Sequence, residues 1–528
     1  MESIIEYWFC HPEIWFGCSK EDDEYIISSY SNQMKEEYEK GEEDIEDRDE
    51  ILKKILLFDQ IMRHYKRVYE DMTEEDIKNY NKLARYYSEI VFEKNKWDEY
   101  KPEERCFICM PLRHTFIESE LYRVLEKIQQ WYRENPEINI YKRFYKTTLE
   151  SYSKIKTKRI CENEPFLYLY QEDEKDNINH VLDIHSCKID ELAMRYIEME
   201  DEIIENGIYQ MFERSLIENG NEETMIVSIS GGVDSMVLSY FLYLYKKRYP
   251  ERIKKIIGIS IHYDNRIEQE DEMKMVNMWL QLLGIDHYIR KIDEIKRNRD
   301  YERDIYEEIT RKIRFDMYKQ IGEKYKGEGR YGVYLGHNKD DSLENVFSNI
   351  KKRRSYRNLY GMSERSEEDG MIIYRPLLKI WKRDILEMAH KVNISYVYDS
   401  TPEWSERGKM RDILIPNMRD FDNEIVEGIF DMVNNFREIY KIYEMMIPEI
   451  IEVDENRIEV EDKGIYFYEY MKKIIYQICK KMKIQPIKNK SIFHISAELE
   501  RGNPNRITLS KECIVYKYGS KIIFIKKK

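Results

Sequence analysis

Alanine occupies only positions 84, 193, 389 and 497 of this 528-residue chain, while lysine, isoleucine and tyrosine are abundant. That bias fits AT-rich coding and carries no information about activity. Long apolar runs are also missing. No 18 consecutive apolar residues occur, which excludes a bilayer-spanning helix. The first residues, Met1-Glu2-Ser3, lack a basic and then apolar leader, so no secretory signal is expected. The expected location is cytoplasmic, including that of an organelle or of a virus-infected host, and no membrane partner is expected. Cysteine is sparse, with eight residues and none between 188 and 478. That count does not build a disulfide scaffold and suits a reducing compartment. G-x-x-x-x-G-K-[ST] is absent too, so any nucleotide loop is of another kind.

Charge is plentiful, at 36% of residues, beside 42% hydrophobic residues, enough for globular cores. The net charge of −15 is unevenly spread: residues 1–200 carry −16 and residues 201–528 carry +1, with +12 over 471–528. Nucleic-acid affinity follows local basic surface rather than the total. The acidic first part is therefore expected to be a separate body that does not hold RNA.

A chain this long is expected to form about two to four domains. Over the first 200 residues apolar positions recur at helical spacing: Ile51, Leu52, Ile55, Leu56, Phe58, Ile61, Met62 and Tyr65, then Leu121, Tyr122, Val124, Leu125 and Ile128. From about 205 the period changes. Strand-like runs at 225–229, 256–262, 288–292, 332–336 and 371–374 alternate with helical stretches such as 270–283 and 306–318. That alternation implies βαβ units and a parallel sheet, whose ligands bind beyond the C-terminal strand ends. Helices return from about 421, and strand-like runs close the chain at 513–516 and 521–525. The reading is a multidomain chain: an all-α domain of unknown function over 1–200, an α/β parallel-sheet domain over 201–420, and a small mixed α/β domain over 421–528, helical with a basic β tail.

The apolar run Met225-Ile226-Val227 leads into Ser230-Gly231-Gly232-Val233-Asp234-Ser235, and Met236-Val237-Leu238 leads out. Two glycines allow a tight turn and close approach to a ligand, and the helix start behind them favours phosphate. Ser230 and Ser235 add hydroxyls, and Asp234 a carboxylate for a metal or an amine. Further segments fall mostly near strand ends. His262-Tyr263-Asp264-Asn265-Arg266 follows the second strand. Arg311 and Arg314 share a helix face and can meet a nucleotide or phosphate. Gly336-His337-Asn338-Lys339-Asp340-Asp341-Ser342-Leu343-Glu344 sets three carboxylates at a helix start, where they either form an acidic pocket or only complement the helix dipole. Lys351, Lys352, Arg353, Arg354 and Arg357 lie among Tyr356 and Tyr360; basic side chains hold phosphates and aromatics stack on unpaired bases.

With Gly361-Met362 ahead of Arg375-Pro376-Leu377-Leu378, the motif order over about 222–420 resembles the tRNA(Ile)-lysidine synthetases, members of the N-type ATP pyrophosphatases with an SGGxDS PP-loop. The resemblance implies a PP-loop ATP pyrophosphatase fold for 201–420. It implies a ligase that uses ATP and Mg²⁺ to adenylate C2 of the wobble cytidine of tRNA(Ile) with a CAU anticodon, and that then joins free L-lysine to it. Under this resemblance Ser230, Gly231, Gly232, Val233, Asp234, Ser235, His262, Arg311, Arg314 and Gly336 would bind ATP. Asp234, His337, Asp340, Asp341 and Glu344 would serve the chemistry, with Asp234 and Asp340 as Mg²⁺ ligands. The acidic group would hold the lysine or a metal, and His337 would move a proton, contact the α-phosphate or make only a structural hydrogen bond. Lys351, Lys352, Arg353, Arg354, Arg357 and Arg375 would meet the anticodon loop. Asn265, Arg266 and Glu268 depart from the family's pattern and put the finer nucleotide contacts in question. The alternatives are another PP-loop tRNA-modifying enzyme, by thiolation or a different amine ligation, or a member that binds tRNA without catalysis. The sequence does not set the oligomeric state; a dimer is one option.

Tyr7-Trp8-Phe9, Trp15-Phe16-Gly17, Phe58-Asp59-Gln60 and Pro111-Leu112-Arg113-His114 resemble an uncharacterised helical family known mostly from bacteria. Asp59, Arg63, His64, Arg113 and His114 would form either a polar pocket or a buried structural network. Two further signals read as structural: Gly327, Gly329 and Gly332 precede a strand rather than follow one, and Cys106 with Cys109 sits in an apolar helical stretch. Every chemical motif lies after residue 201, so that part is expected to work without the first 200 residues.

Overall fold

A computed structural model describes the chain except residues 1–2, 16–17, 70, 170–174, 189–198, 221, 297–302, 354–360, 399–404, 455, 503–505 and 528. Two compact units result, one of residues 1–339 with 363–400 and one of 340–362 with 401–528.

The first unit opens as a helical body. Ser19 starts the helix Lys20–Lys40 and Thr73 the helix Glu74–Lys94 with reciprocal capping boxes: each hydroxyl accepts from the amide three residues on, whose aspartate accepts in return. The helical stretch expected over 51–65 is present with one irregularity. Helix Arg48–Ile55 widens into a π-helical turn at Leu56–Ile61 before helix Met62–Val68. The second expected stretch lies in helix Glu118–Glu134, which buries Leu121, Val124, Leu125 and Ile128.

All five strand-like runs of the middle segment form strands: β1 (Thr224–Ser228), β2 (Lys255–His262), β3 (Asp286–Lys291), β4 (Tyr331–Tyr334) and, after an unforeseen β5 (Arg365–Glu368), β6 (Met371–Tyr374). The order is β3-β2-β1-β4-β6-β5, parallel except for β5 against β6. β5 is silent in the sequence because Arg-Ser-Glu-Glu has no apolar face to read. Successive β1 residues face opposite sides. Met225 and Val227 join the core under helix Val233–Arg248, and Ile226 joins Met317, Tyr318 and Ile321 of helix Arg303–Lys324.

The helical body and the sheet share one core. Ile292, Ile305, Tyr306, Ile309 and Ile313 belong to the same buried cluster as Trp8, Leu56 and Tyr152. Ion pairs line this contact: Lys146–Glu308 at 2.6 Å and Lys312–Glu150 at 2.7 Å. Fully buried Arg290 pairs with fully buried Glu294 and donates to Thr157 Oγ1 at 3.1 Å.

The second unit has an antiparallel sheet, β7 (Ile450–Asp454), β8 (Arg457–Glu461), β9 (Ile507–Thr508), β10 (Cys513–Tyr518) and β11 (Lys521–Lys526), in the order β7-β8-β11-β10-β9. The closing hairpin lies where the sequence places it; β7 and β8 are additions. Helices Tyr468–Met482 and Asn489–Glu500 cover the sheet through Met471, Ile474, Ile478 and Ile495.

Candidate active site

β1 ends at Ser228, and the chain turns at Gly231 (φ +85°) into helix Val233–Arg248. A Cβ on Gly231 would lie 3.1 Å from Val397 and 3.2 Å from Val276, so this turn needs glycine for space as well as for conformation. The loop is laced internally. Ser235 Oγ donates to the Gly232 carbonyl at 2.9 Å and accepts from the Ser230 amide at 3.2 Å. Val397 donates from its amide to the Gly231 carbonyl at 3.0 Å. The first amides of the following helix have no acceptor within it, which makes this end suited to a phosphate.

β4 runs beside β1, so the segment after it reaches the same end of the sheet. A Cβ on Gly336 would lie 3.1 Å from both the Asp234 carbonyl carbon and the Ser235 amide, so the two loops approach closely only because position 336 is glycine. Buried Asn338 donates to Asp234 Oδ1 at 2.9 Å, and Lys382 donates to Asp234 Oδ2. His337 is half-buried in the same segment.

His262, at the end of β2, is buried, and its Nδ1 accepts from the Asp264 amide at 3.1 Å. Burial and the Lys291 charge push its pKa down, so the ring is neutral with its proton on Nε2. That Nε2 is buried with no partner among the described residues, a donor aimed at no protein acceptor. The orphan donor stands at the C-terminal end of β2, beside the strand that leads into the glycine loop, and is available to a ligand.

The two arginines on helix Arg303–Lys324 have different fates. Arg311 pairs with Glu368 at 2.7 Å and covers the Phe315 ring. Arg314 is half-buried, has no carboxylate partner among the described residues, and influences Tyr318, whose hydroxyl donates to Ser228 Oγ at 2.7 Å. Arg375, expected among the RNA contacts, is corrected by its surroundings. It is buried and donates to the Ser363 carbonyl, Ser366 Oγ and Glu368, holding the β5–β6 hairpin. The departing residues serve structure as well: Asn265 donates to Tyr306 Oη at 3.0 Å, and Arg266 pairs with buried Glu272.

In the second unit Asp340 and Asp341 occupy the first turn of helix Lys339–Lys351. Arginines from beyond residue 400 meet them: Arg419 with Asp340 at 2.9 Å, Arg407 with Asp341 at 3.1 Å, and Arg407 and Arg411 with buried Glu344 at 3.0 and 3.1 Å. The three carboxylates, read as an acidic pocket or as helix-dipole partners, thus form an ion-paired cluster. The two carboxylates expected to ligate magnesium are ion-paired as well. Asp234 bonds Lys382 and Asp340 bonds Arg419, so a metal at either would share its carboxylate with a cationic side chain. Lys351, Lys352 and Arg353 are exposed, Lys351 pairing with Glu406. Arg354 and Arg357 lie outside the described residues.

Of the five polar residues in the helical body, Arg63 and His114 both bond the Asp59 carboxylate. His64 instead joins Asp23 and Cys18, a metal-capable trio among the described residues, where Arg67 already donates to Asp23 at 2.8 Å. Cys106 and Cys109 are buried, and Gly329 sits in a turn before β4, as expected.

A PP-loop domain model matches residues 201–418, and a model described as bacterial protein of unknown function (DUF924) matches residues 4–159. The tRNA(Ile)-lysidine synthase of Mesoplasma florum is 26% identical over 284 residues, 52% of this chain and 66% of that protein. Its counterpart in Mycoplasma genitalium is 31% identical over 186 residues, 34% of this chain and 57% of that protein. That of Staphylococcus aureus (strain MRSA252) is 25% identical, covering 44% and 54%. The chain thus spans less than two thirds of the length of each of these relatives. Its residues 201–418 are a PP-loop domain, preceded over 4–159 by a helical segment of the DUF924 family.

Proposed function

We propose that this chain is an ATP-dependent tRNA-modifying ligase that converts the wobble cytidine of a CAU-anticodon tRNA to lysidine. The observation that carries the reading is the serine–glycine loop closed against Gly336, with Asp234 clasped by Asn338 and Lys382. The similarity to tRNA(Ile)-lysidine synthases points to the substrate.

In the first step the C2 oxygen of cytidine attacks the α-phosphorus of ATP. The bond from that phosphorus to the α–β bridging oxygen breaks, and pyrophosphate leaves. The free helix amides and the Ser230 hydroxyl hold the departing pyrophosphate, Ser235 bracing the loop that presents them, and the Lys382 ammonium offsets its charge. Neutral His262 donates through Nε2 to the nucleotide. In the second step the ε-amine of lysine attacks C2, the C2–O bond breaks, AMP leaves, and the amine loses its proton to solvent or a nearby base. Such positioning and charge compensation act most strongly where water is excluded.

Thiolation requires a sulfur-carrying cysteine, and residues 188–478 contain none. The deciding experiment is nucleoside mass spectrometry of CAU-anticodon tRNA after incubation with ATP and lysine. Lysidine is expected, with AMP and pyrophosphate as co-products, and Asp234→Ala should eliminate all three. ADP and phosphate as products would overturn the reading; a tRNA left unmodified despite pyrophosphate release would overturn the substrate.

A further inference from the structure

We propose that the N-terminal helical body carries a second small-molecule site, an oxyanion pocket formed by Arg63, Arg113 and His114 around buried Asp59. Asp59 is 0% exposed and sits on the π-helical turn Leu56–Ile61. Such wide turns interrupt helices mostly where a side chain must be re-aimed, and often at functional sites. Its carboxylate accepts from His114 Nδ1 at 2.9 Å, from Arg63 Nε and Nη2 at 3.2 Å, and from Gln60 Nε2 at 2.5 Å. Burial would raise the Asp59 pKa, but His114 and Arg63 outweigh it and hold the group ionised.

Fixing Nδ1 in this way orients the imidazole and leaves Nε2 without a partner among the described residues, on a ring that is 21% exposed. Arg63 is 35% exposed beside it. Arg113 is the residue a purely structural network does not explain. Its guanidinium lies 5.1 Å from the centre of the Phe144 ring, and its one hydrogen bond among the described residues goes to the thioether of Met110 at 3.7 Å. No carboxylate stands within ion-pair distance of it among those residues. This half-buried guanidinium has only a thioether, a poor acceptor, as a protein partner among those residues, so its remaining N–H groups stay open to a ligand. The single Asp59 charge is already shared by Arg63 and His114, so the group carries surplus positive charge.

The turn that follows is strained. Phe116 adopts φ +52° with its side chain 62% exposed, a left-handed conformation that bulky residues rarely take. Two guanidiniums and an imidazole N–H with vacant donors match a carboxylate or phosphate oxyanion. In the Cys18–Asp23–His64 trio, by contrast, Arg67 already bonds Asp23 Oδ1 and His64 Nδ1.

The test uses the full chain labelled at histidine ring carbons, with the His114 signal assigned by its loss in His114→Gln. This readout reports on His114 alone, so anion binding at the PP-loop does not enter it. Inorganic phosphate and malonate are titrated separately, one arm for a tetrahedral and one for a planar oxyanion. A saturable shift of the His114 signal is expected in at least one arm. Arg113→Gln should weaken that binding about tenfold or more, with an unchanged melting temperature and unchanged ATP turnover, and Arg113→Lys should restore part of it. Absence of a saturable shift with both anions overturns the proposal, and so does binding that is equally tight in Arg113→Gln. If Arg113→Gln fails to fold, Arg63→Gln gives the same discrimination.

Discussion

Asn338 donates from its side-chain amide to Oδ1 of Asp234 at 2.9 Å across 104 positions of sequence. The bond exists because β1 and β4 are parallel neighbours, so the segments leaving their C-terminal ends meet. It joins the serine–glycine loop to the Gly336 segment and fixes the carboxylate that Lys382 also grips.

Breaking this junction should impair ATP use without unfolding the protein. Asn338→Leu removes the amide, and Gly336→Ala drives a methyl to about 3.1 Å from the Asp234–Ser235 backbone. Each is expected to lower ATP-dependent pyrophosphate release about tenfold or more, roughly 1.4 kcal/mol of transition-state stabilisation. Unaltered release in both variants would show that the junction has no part in the reaction.

Acid should destabilise the sheet domain before most carboxylates titrate. His287 is fully buried between Asn277 and Ser260, and burial holds its pKa at about 3. The unfolded chain takes up that proton near the ordinary value of about 6.5, whereas the folded chain does so only near 3. Its contribution is therefore complete above pH 6.5 and is lost as pH falls from 6.5 towards 3, by about 1.4 kcal/mol per pH unit. His262 shifts in the same direction. Denaturant unfolding at pH 7.5, 6.5 and 5.5 reads this slope, which should flatten in a folded His287→Gln variant.

The basic segment after helix Lys339–Lys351 should matter for RNA and not for ATP. Lys352→Glu with Arg353→Glu is expected to weaken tRNA binding and make its salt dependence shallower, by about one unit of log–log slope for each phosphate no longer neutralised. Binding isotherms at several salt concentrations check this. An identical slope would reduce the segment to ordinary surface.

Glu344 tests the ion-paired cluster. It is buried against Arg407 and Arg411, so Glu344→Ala removes the buried carboxylate they share and leaves them Asp341, at a cost of about 1–2 kcal/mol with Arg407 60% exposed. Glu344→Leu combined with Arg407→Met and Arg411→Met should recover much of that loss. Unfolding curves of the variants decide it. Equal stability of Glu344→Ala and the parent would mean that the cluster is not structural.

Removal of the first 200 residues is the sharpest test of independence. The motif positions alone imply that the part after residue 201 works by itself. The shared core argues otherwise, because the cut uncovers Ile305, Ile309 and Ile313 and strands the Arg290–Glu294 pair. The truncated chain is expected to aggregate or melt well below the full chain in a thermal scan. A soluble, cooperatively folding product with full pyrophosphate release would restore the sequence-based expectation.

Periodicity and turn chemistry make most of the architecture legible. Alternating apolar runs report the five parallel strands, and Ser230 to Ser235 report the loop between β1 and its helix. β5 is not legible because an exposed edge strand needs no apolar signature, whereas the short alternation of Ile458 and Val460 in β8 is present but lies within the stretch read as helical. Arg407 and Arg419 are hidden for a different reason: one guanidinium in sequence looks like any surface charge until a carboxylate is found beside it.

What the sequence by itself determined was local: which segments bury which face, where the chain must turn, and which chemical groups stand at strand ends. These follow from side-chain period and backbone freedom, properties of near neighbours. Only the tertiary structure decided who meets whom. It set Asn338 and Lys382 on Asp234, withdrew Arg375 into the β5–β6 hairpin, and neutralised the acidic triplet with arginines some 60 to 80 positions away. Those pairings depend on strand order and helix packing, which bring together residues that no sequence window contains.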